Sequence, residues 1–209
     1  MKVGLFFGTF NPIHIGHMVI ATYMADFTDL EQVWLVVSPQ NPLKQNALLL
    51  KDYHRLALVR IASENHSKLK VSNIEFSLPK PSYTIDTLTH LSSKNPDDSF
   101  VLILGSDNLE SFHQWKDHER ILDKYSLYVY PRNGFSGGNL ATHPKVKMTD
   151  APIMEISSTF IRNGIRDKKD VSSMLPGAVW KYVEEMHFYE KENSPQPEFP
   201  DGESGKFIL

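Results

Sequence analysis

Apolar positions along this chain follow two rhythms, short unbroken runs and stripes that return every three or four residues. Residues 2–7, KVGLFF, form a continuous apolar run that predicts a buried strand, closed by Gly8 and a turn-rich loop reaching Pro12. Helical spacing follows over residues 16–27, with Met18, Ala21, Met24 and Ala25 or Phe27 toward one side. The β-branched run VWLVVS (33–38) predicts the next strand, and SPQNP closes it. Residues 52–65 repeat as a helix that turns Leu56, Val59 and Ile61 or Ala62 inward. VSNIEF (71–76) alternates as a strand does, and PSYTIDTLTHL (81–91) opens with proline and serine, a helix start. FVLILG (100–105) is the most apolar run and predicts a central strand. SLYVYPR (126–132) and VKM (146–148) predict later strands, and residues 158–166 and 176–187 the last helices.

Strands separated by helical segments imply parallel pairing through crossover helices. The predicted fold is therefore α/β: a Rossmann-like, doubly wound, mostly parallel sheet with helices on both faces. Such sheets bind ligands beyond the carboxyl ends of their strands, where the strand order reverses. The loops after strands one, two and four are where chemistry is expected. Residues 1–189 read as a single domain. The segment 190–209, rich in Pro, Glu, Ser and Gly, reads as a flexible tail with too little apolar surface to order itself.

Composition narrows the function classes. Of 209 residues 41% are hydrophobic, enough for a core, and the formal net charge of −3 supplies no global basic field for a nucleic-acid partner. The absence of cysteine excludes disulfides, zinc–thiolate sites and a cysteine nucleophile. The first residues lack the longer apolar region and cleavage site of a signal peptide, and no apolar run approaches transmembrane length. A soluble, cytoplasmic protein with no membrane partner is expected.

Two stretches carry candidate chemistry. The first is Gly8-Thr9-Phe10-Asn11-Pro12-Ile13-His14-Ile15-Gly16-His17. Gly8 permits a strained turn after the strand and Pro12 stiffens the loop. A helix beginning near Ile15 places His14 at its mouth and His17 three residues on, on the same face. Gly16 lets a ligand approach the backbone between them. Two imidazoles and free N–H groups at a positive helix end make a phosphate site. Either histidine alone reads more simply as a cap or surface residue; together, in this context, they point to phosphate. The second stretch, Ile156-Ser157-Ser158-Thr159-Phe160-Ile161-Arg162, reads as a helix N-terminus with Ser157 or Ser158 as N-cap. Capping explains the serines fully. It does not explain a first turn with no acid and with Arg162 on the face of Ser158 and Thr159, where hydroxyls, N–H groups and guanidinium would converge on an anion.

With these residues the chain resembles the nucleotidyltransferase superfamily that shares H-x-G-H with class I aminoacyl-tRNA synthetases. Three further segments, SPQNPLK (38–44), PSYTIDTL (81–88) and GSDNLESFHQWK (105–116), resemble the nicotinate-nucleotide adenylyltransferase family within it. The resemblance covers roughly residues 1–188, with Asn11 standing where many relatives have aspartate. It implies attack by the 5′-phosphate of nicotinate mononucleotide on the α-phosphorus of ATP, releasing pyrophosphate. His14, His17 and Arg162 are implied as catalytic. Gly8, Thr9, Phe10 and Gly16, then Gly105 and Asp107 after the fourth strand, then Ile156, Ser157, Ser158 and Thr159 are implied to bind ATP. Asp107 would take the ribose hydroxyls, although Ser106-Asp107 also suits a plain helix cap. Asn11, Lys44, Ser82, Tyr83, Thr84, Trp115 and Arg132 are candidates for the mononucleotide. Trp115 would stack on the ring, and the helix opening at Ser82-Tyr83-Thr84 would take its carboxylate. Mg²⁺ would come with ATP, held by phosphates and water rather than by protein. The rival substrates are nicotinamide mononucleotide and phosphopantetheine. The rivals of another class are a nucleotide-binding regulator without catalysis and an RNA-binding module, which the absent basic surface disfavours.

Overall fold

The computed structural model describes residues 1–39 and 49–190. Six strands, β1 (Lys2–Gly8), β2 (Gln32–Val37), β3 (Leu69–Ser72), β4 (Ser99–Gly105), β5 (Ser126–Tyr130) and β6 (Val146–Met148), form one sheet in the order β3-β2-β1-β4-β5-β6. Every pairing is parallel. The helices are α1 (Ile15–Asp26), α2 (Asp52–Ser63), α3 (Thr84–Lys94), α4 (Ser106–Glu110), α5 (His118–Lys124), α6 (Ser158–Arg166) and α7 (Gly177–Glu185).

A parallel sheet covered on both faces needs strands that are apolar throughout, which is why KVGLFF and FVLILG carry no polar alternation. Successive side chains still point to opposite faces. Phe6 and Ile103 join one apolar layer with Met18 and Met24 of α1, Leu56 and Val59 of α2, Ile161 of α6 and Val179 of α7. Leu5 and Leu102 join the other with Ile85 and Leu88 of α3, Leu109 of α4 and Ile121 of α5. The predicted inward stripe of the first helix is buried, whereas Phe27, the residue just past its end, is 74% exposed.

Four elements differ from the pattern of apolar positions. The predicted strand at 71–76 ends at Ser72, and Ile74–Ser77 winds into a 3₁₀ turn. A tertiary contact overrides the alternation there: Glu75 is drawn inside, where Thr87 Oγ1 donates to its Oε1 at 2.8 Å. The helix predicted from Pro81 starts at Thr84, because Tyr83 is still extended (φ −111°, ψ 139°). Short helices α4 and α5 follow β4, too brief to show a periodic stripe. The segment read as a tail, 190–209, lies outside the described residues from 191 onward.

The chain leaves β1 toward β2 and β3, and leaves β4 toward β5 and β6. Neighbouring strands whose chains depart in opposite directions open a crevice at their carboxyl ends. That crevice lies at Gly8 and Gly105. The residues just after α7 also reach this edge of the sheet, where the Tyr189 hydroxyl donates to Asn11 Oδ1 at 2.8 Å.

Candidate active site

The loop after β1 is set by packing around Phe10. Its ring meets Phe6 edge-on (centroids 6.0 Å apart) and His17 (5.1 Å), and it occupies the space where a Cβ on Gly8 would fall, 2.9 Å away. The expected strained glycine is thus corrected: Gly8 is needed for space, and the left-handed residue of the turn is Phe10 itself (φ 45°). Thr9 lines the crevice, and its carbonyl accepts from Arg55 Nη1 at 2.6 Å. Asn11 has a structural part in this loop: its side chain is 1% exposed and its Oδ1 accepts from both Leu50 N and the Tyr189 hydroxyl, so it holds the loop together.

His14 is the N-cap of α1, and its backbone N–H donates to His17 Nδ1 at 3.2 Å. That bond makes Nδ1 of the neutral His17 the acceptor and leaves its proton on Nε2. The two rings stack with centroids 3.7 Å apart. A Cβ on Gly16 would come within 3.0 Å of the His14 ring. The bare position therefore admits the imidazole, where a ligand had been expected. Burial holds His14 down at about 4, with the Arg132 cation adding to the effect. Burial also lowers His17 well below the ordinary histidine value, followed by His14 and Arg132. Both rings are neutral at pH 7.

Helix α6 is docked directly on this loop. Ser157 is the N-cap, its Oγ accepting from Phe160 N at 3.1 Å. Ser158 Oγ donates to Pro12 O at 2.9 Å and Arg162 Nη1 donates to Asn11 O at 2.8 Å. Arg162 Nη2 donates to Thr159 Oγ1 at 3.2 Å. Ile156 packs its side chain against the core. The first turn of α6 carries no acid. Across the crevice, Ser106 Oγ accepts from Arg132 N at 2.9 Å, and Arg132 Nη1 donates to Met154 O at 2.9 Å. Asp107 folds back over Gly105, leaving no room there for a Cβ, and its Oδ1 lies 3.9 Å from Arg132 Nε. The Arg132 charge is felt by both histidines and lowers them further.

Beside these groups a cavity of about 190 Å³ opens between the ends of β1 and β4. Gly8, Thr9 and Gly105 line it at the strand ends, and Ser82, Tyr83, Thr84 and Trp115 also line it. Trp115 is braced by Phe112 at 5.2 Å, and Lys116 lies over the Tyr83 ring at 4.6 Å while pairing with Asp86 at 2.9 Å. Lys44 lies outside the described residues.

Buried polar atoms normally find partners, and each one that does not calls for an explanation. Among the described residues six side-chain atoms are buried without one, and five belong here: His14 Nδ1, Ser82 Oγ, Trp115 Nε1, Arg132 Nε and Arg162 Nε. The sixth is His90 Nε2 on α3. Also among the described residues, no group of three His, Cys, Asp or Glu side chains is placed to hold a metal, and no helix is long and apolar enough to cross a membrane.

Two residues of the site escaped the sequence reading. Arg55 is fully buried on α2, and all five of its N–H donors are used: Nε to Leu50 O, Nη1 to Thr9 O and Ser38 O, Nη2 to Pro39 O and Asp52 Oδ1. It clasps the loops after β1 and β2. Its signal in the sequence was a cation on the inward stripe of a helix, next to Leu56 and one turn before Val59. Glu75 lines the cavity from the 3₁₀ turn, and its place in an alternating run hid it.

Known proteins are similar to this chain in sequence and in fold. The cytidylyltransferase-like family profile matches residues 5–164. A Flavobacterium johnsoniae protein named probable nicotinate-nucleotide adenylyltransferase is 52% identical, covering 91% of this chain and 100% of its own length. A protein of the same name from Flavobacterium psychrophilum is 53% identical, again covering 91% and 100%. In fold, the chain superposes with a TM-score of 0.79 on Plasmodium falciparum nicotinic acid mononucleotide adenylyltransferase complexed with NaAD, at 20% identity over 90% of this chain and 97% of that one. The chain belongs to the cytidylyltransferase-like family, in the branch of its nicotinate-nucleotide adenylyltransferase relatives.

Proposed function

We propose that this protein transfers AMP from ATP to nicotinate mononucleotide, giving nicotinate adenine dinucleotide and pyrophosphate, a step of NAD biosynthesis in the cytoplasm. The observation that carries the reading is the hydrogen-bonded junction of the two phosphate motifs, Arg162 to Asn11 O and Ser158 to Pro12 O, on the loop whose first residues, Gly8 and Thr9, line the cavity with Trp115 and the start of α3.

A 5′-phosphate oxygen of the mononucleotide forms a bond to the α-phosphorus of ATP as the bond from that phosphorus to the bridging oxygen breaks and pyrophosphate leaves. No covalent intermediate with the protein is needed. The protein's work is positioning, and stabilisation of charge on the phosphoryl oxygens. The Nε2–H of His17 donates to the α-phosphate, with the His14 ring stacked beside it. Arg162, with Thr159 and the free N–H groups opening α6, holds the departing pyrophosphate, and Arg132 adds positive charge beside the histidines. The donor set here suits phosphate oxygens and lacks a carboxylate cluster, so Mg²⁺ fits as an ion carried on the ATP phosphates. Bound there, it offsets the negative charge that separates with pyrophosphate. The ring lies in the cavity against Trp115, its carboxylate on the N–H groups at the start of α3.

The test is pyrophosphate release from ATP with nicotinate mononucleotide, nicotinamide mononucleotide and phosphopantetheine in turn. Charge-assisted bonds to the ring carboxylate contribute about 1.5–3 kcal/mol, so kcat/KM should favour acid over amide by roughly ten- to a hundred-fold. Equal values would refute the acid preference, and no release with any of the three would refute the activity.

A further inference from the structure

The wall of the cavity contains a carboxyl group that pairs with no cation among the described residues. Glu75 is 2% exposed and shares the cavity with Ser82, Tyr83, Thr84 and Trp115. Thr87 Oγ1 donates to its Oε1 at 2.8 Å, and the Ser38 side chain donates to it as well. Two donors leave lone pairs of the carboxylate unfilled. The other formally charged residue of the cavity wall, Lys116, is committed to Asp86 at 2.9 Å. A buried carboxylate is costly unless a positive charge or further hydrogen bonds offset its lost hydration. Burial does push the Glu75 carboxyl above its ordinary value, with Ser38 and Thr87 only partly opposing it.

The mononucleotide of the proposed reaction brings what is missing. Its ring nitrogen bonds to the ribose carbon, so the ring is a pyridinium that carries a full positive charge beside its carboxylate. The start of α3, with its free N–H groups, suits the anionic end of that ring, while Glu75 suits the cationic body. We infer that the Glu75 carboxylate is the counter-charge of the pyridinium ring, making it a residue that selects charged over uncharged rings in this cavity. The inference rests on the proposed function, since it takes the ring to lie in this cavity.

Ring charge can be removed without moving a substituent by reducing the mononucleotide to its 1,4-dihydropyridine. Calorimetric Kd values for both ring forms, on the wild type and Glu75→Gln, test the assignment. Glutamine keeps an oxygen for Thr87 and Ser38 and loses only the charge. The wild type should bind the charged ring about tenfold more tightly than the reduced one, the size expected of one charge pair in a partly buried site. In Glu75→Gln the ratio should fall to within about twofold, with the KM for ATP unchanged. Equal Kd values in the wild type overturn the inference without need of the variant. So does a variant that weakens both ring forms by the same factor, the mark of a bracket that merely shapes the wall. Should Glu75→Gln not fold, the wild-type ratio alone decides. Pyrophosphate release is read separately. A wild type that selects the charged ring but releases no pyrophosphate refutes the activity and leaves the assignment of Glu75 standing.

Discussion

Acid should loosen this protein through His14 before most carboxylates are touched. In the fold its ring is buried beside Arg132 and resists protonation until about pH 4, whereas the unfolded chain takes up that proton near the ordinary 6.5. Above pH 6.5 neither state holds the proton and stability is untouched. Between 6.5 and about 4 the unfolded state binds more protons, so stability falls with falling pH by about 1.4 kcal/mol per pH unit. Across that interval the loss is about 3 kcal/mol, a large part of the 5–15 kcal/mol that holds a typical domain. His17, also lowered by burial, acts in the same direction. Urea unfolding from about pH 7.5 down to about pH 4, on wild type and His14→Gln, measures the effect. The variant's stability should fall less steeply, the two curves drawing together by about 3 kcal/mol at the acid end. Parallel curves would show that His14 is no more buried from protons than a free histidine, and the account of the stacked pair would be wrong. The same groups should take up protons when the anionic triphosphate binds, seen as a buffer-dependent heat near pH 6 in calorimetry.

Other outcomes follow from named contacts. Arg162→Ala removes the guanidinium that joins α6 to Asn11 O, and kcat/KM for ATP should drop about 100- to 1,000-fold while mononucleotide affinity changes little; rescue by Arg162→Lys would argue against a fork-shaped contact. Arg55→Met leaves four backbone carbonyls and Asp52 without their donor, and should cost about 3–5 kcal/mol in denaturant unfolding; a change below about 1 kcal/mol would show that the clamp adds little.

The sequence by itself determined the alternation of strands and helices, because burial on both faces of a parallel sheet demands continuous apolar runs and burial on one side of a helix demands a stripe. FVLILG had to be a central strand and STFIRNGIR a capped helix, since those requirements are local in the chain. The chemistry of H-x-G-H and of Arg162 was legible for a similar reason: imidazoles and guanidinium at helix starts already imply an anion. Folding alone settles which polar groups meet each other. Asn11 Oδ1 accepts from Leu50 and Tyr189, and the bare Gly16 leaves room for the His14 ring, contacts that no local motif announces. Arg55, Glu75 and Tyr189 likewise meet partners set apart in the sequence. Periodicity reports how a segment meets water. The pairing of buried polar groups depends on which segments the folded sheet brings together, and that is settled only when β1, β4 and α6 converge.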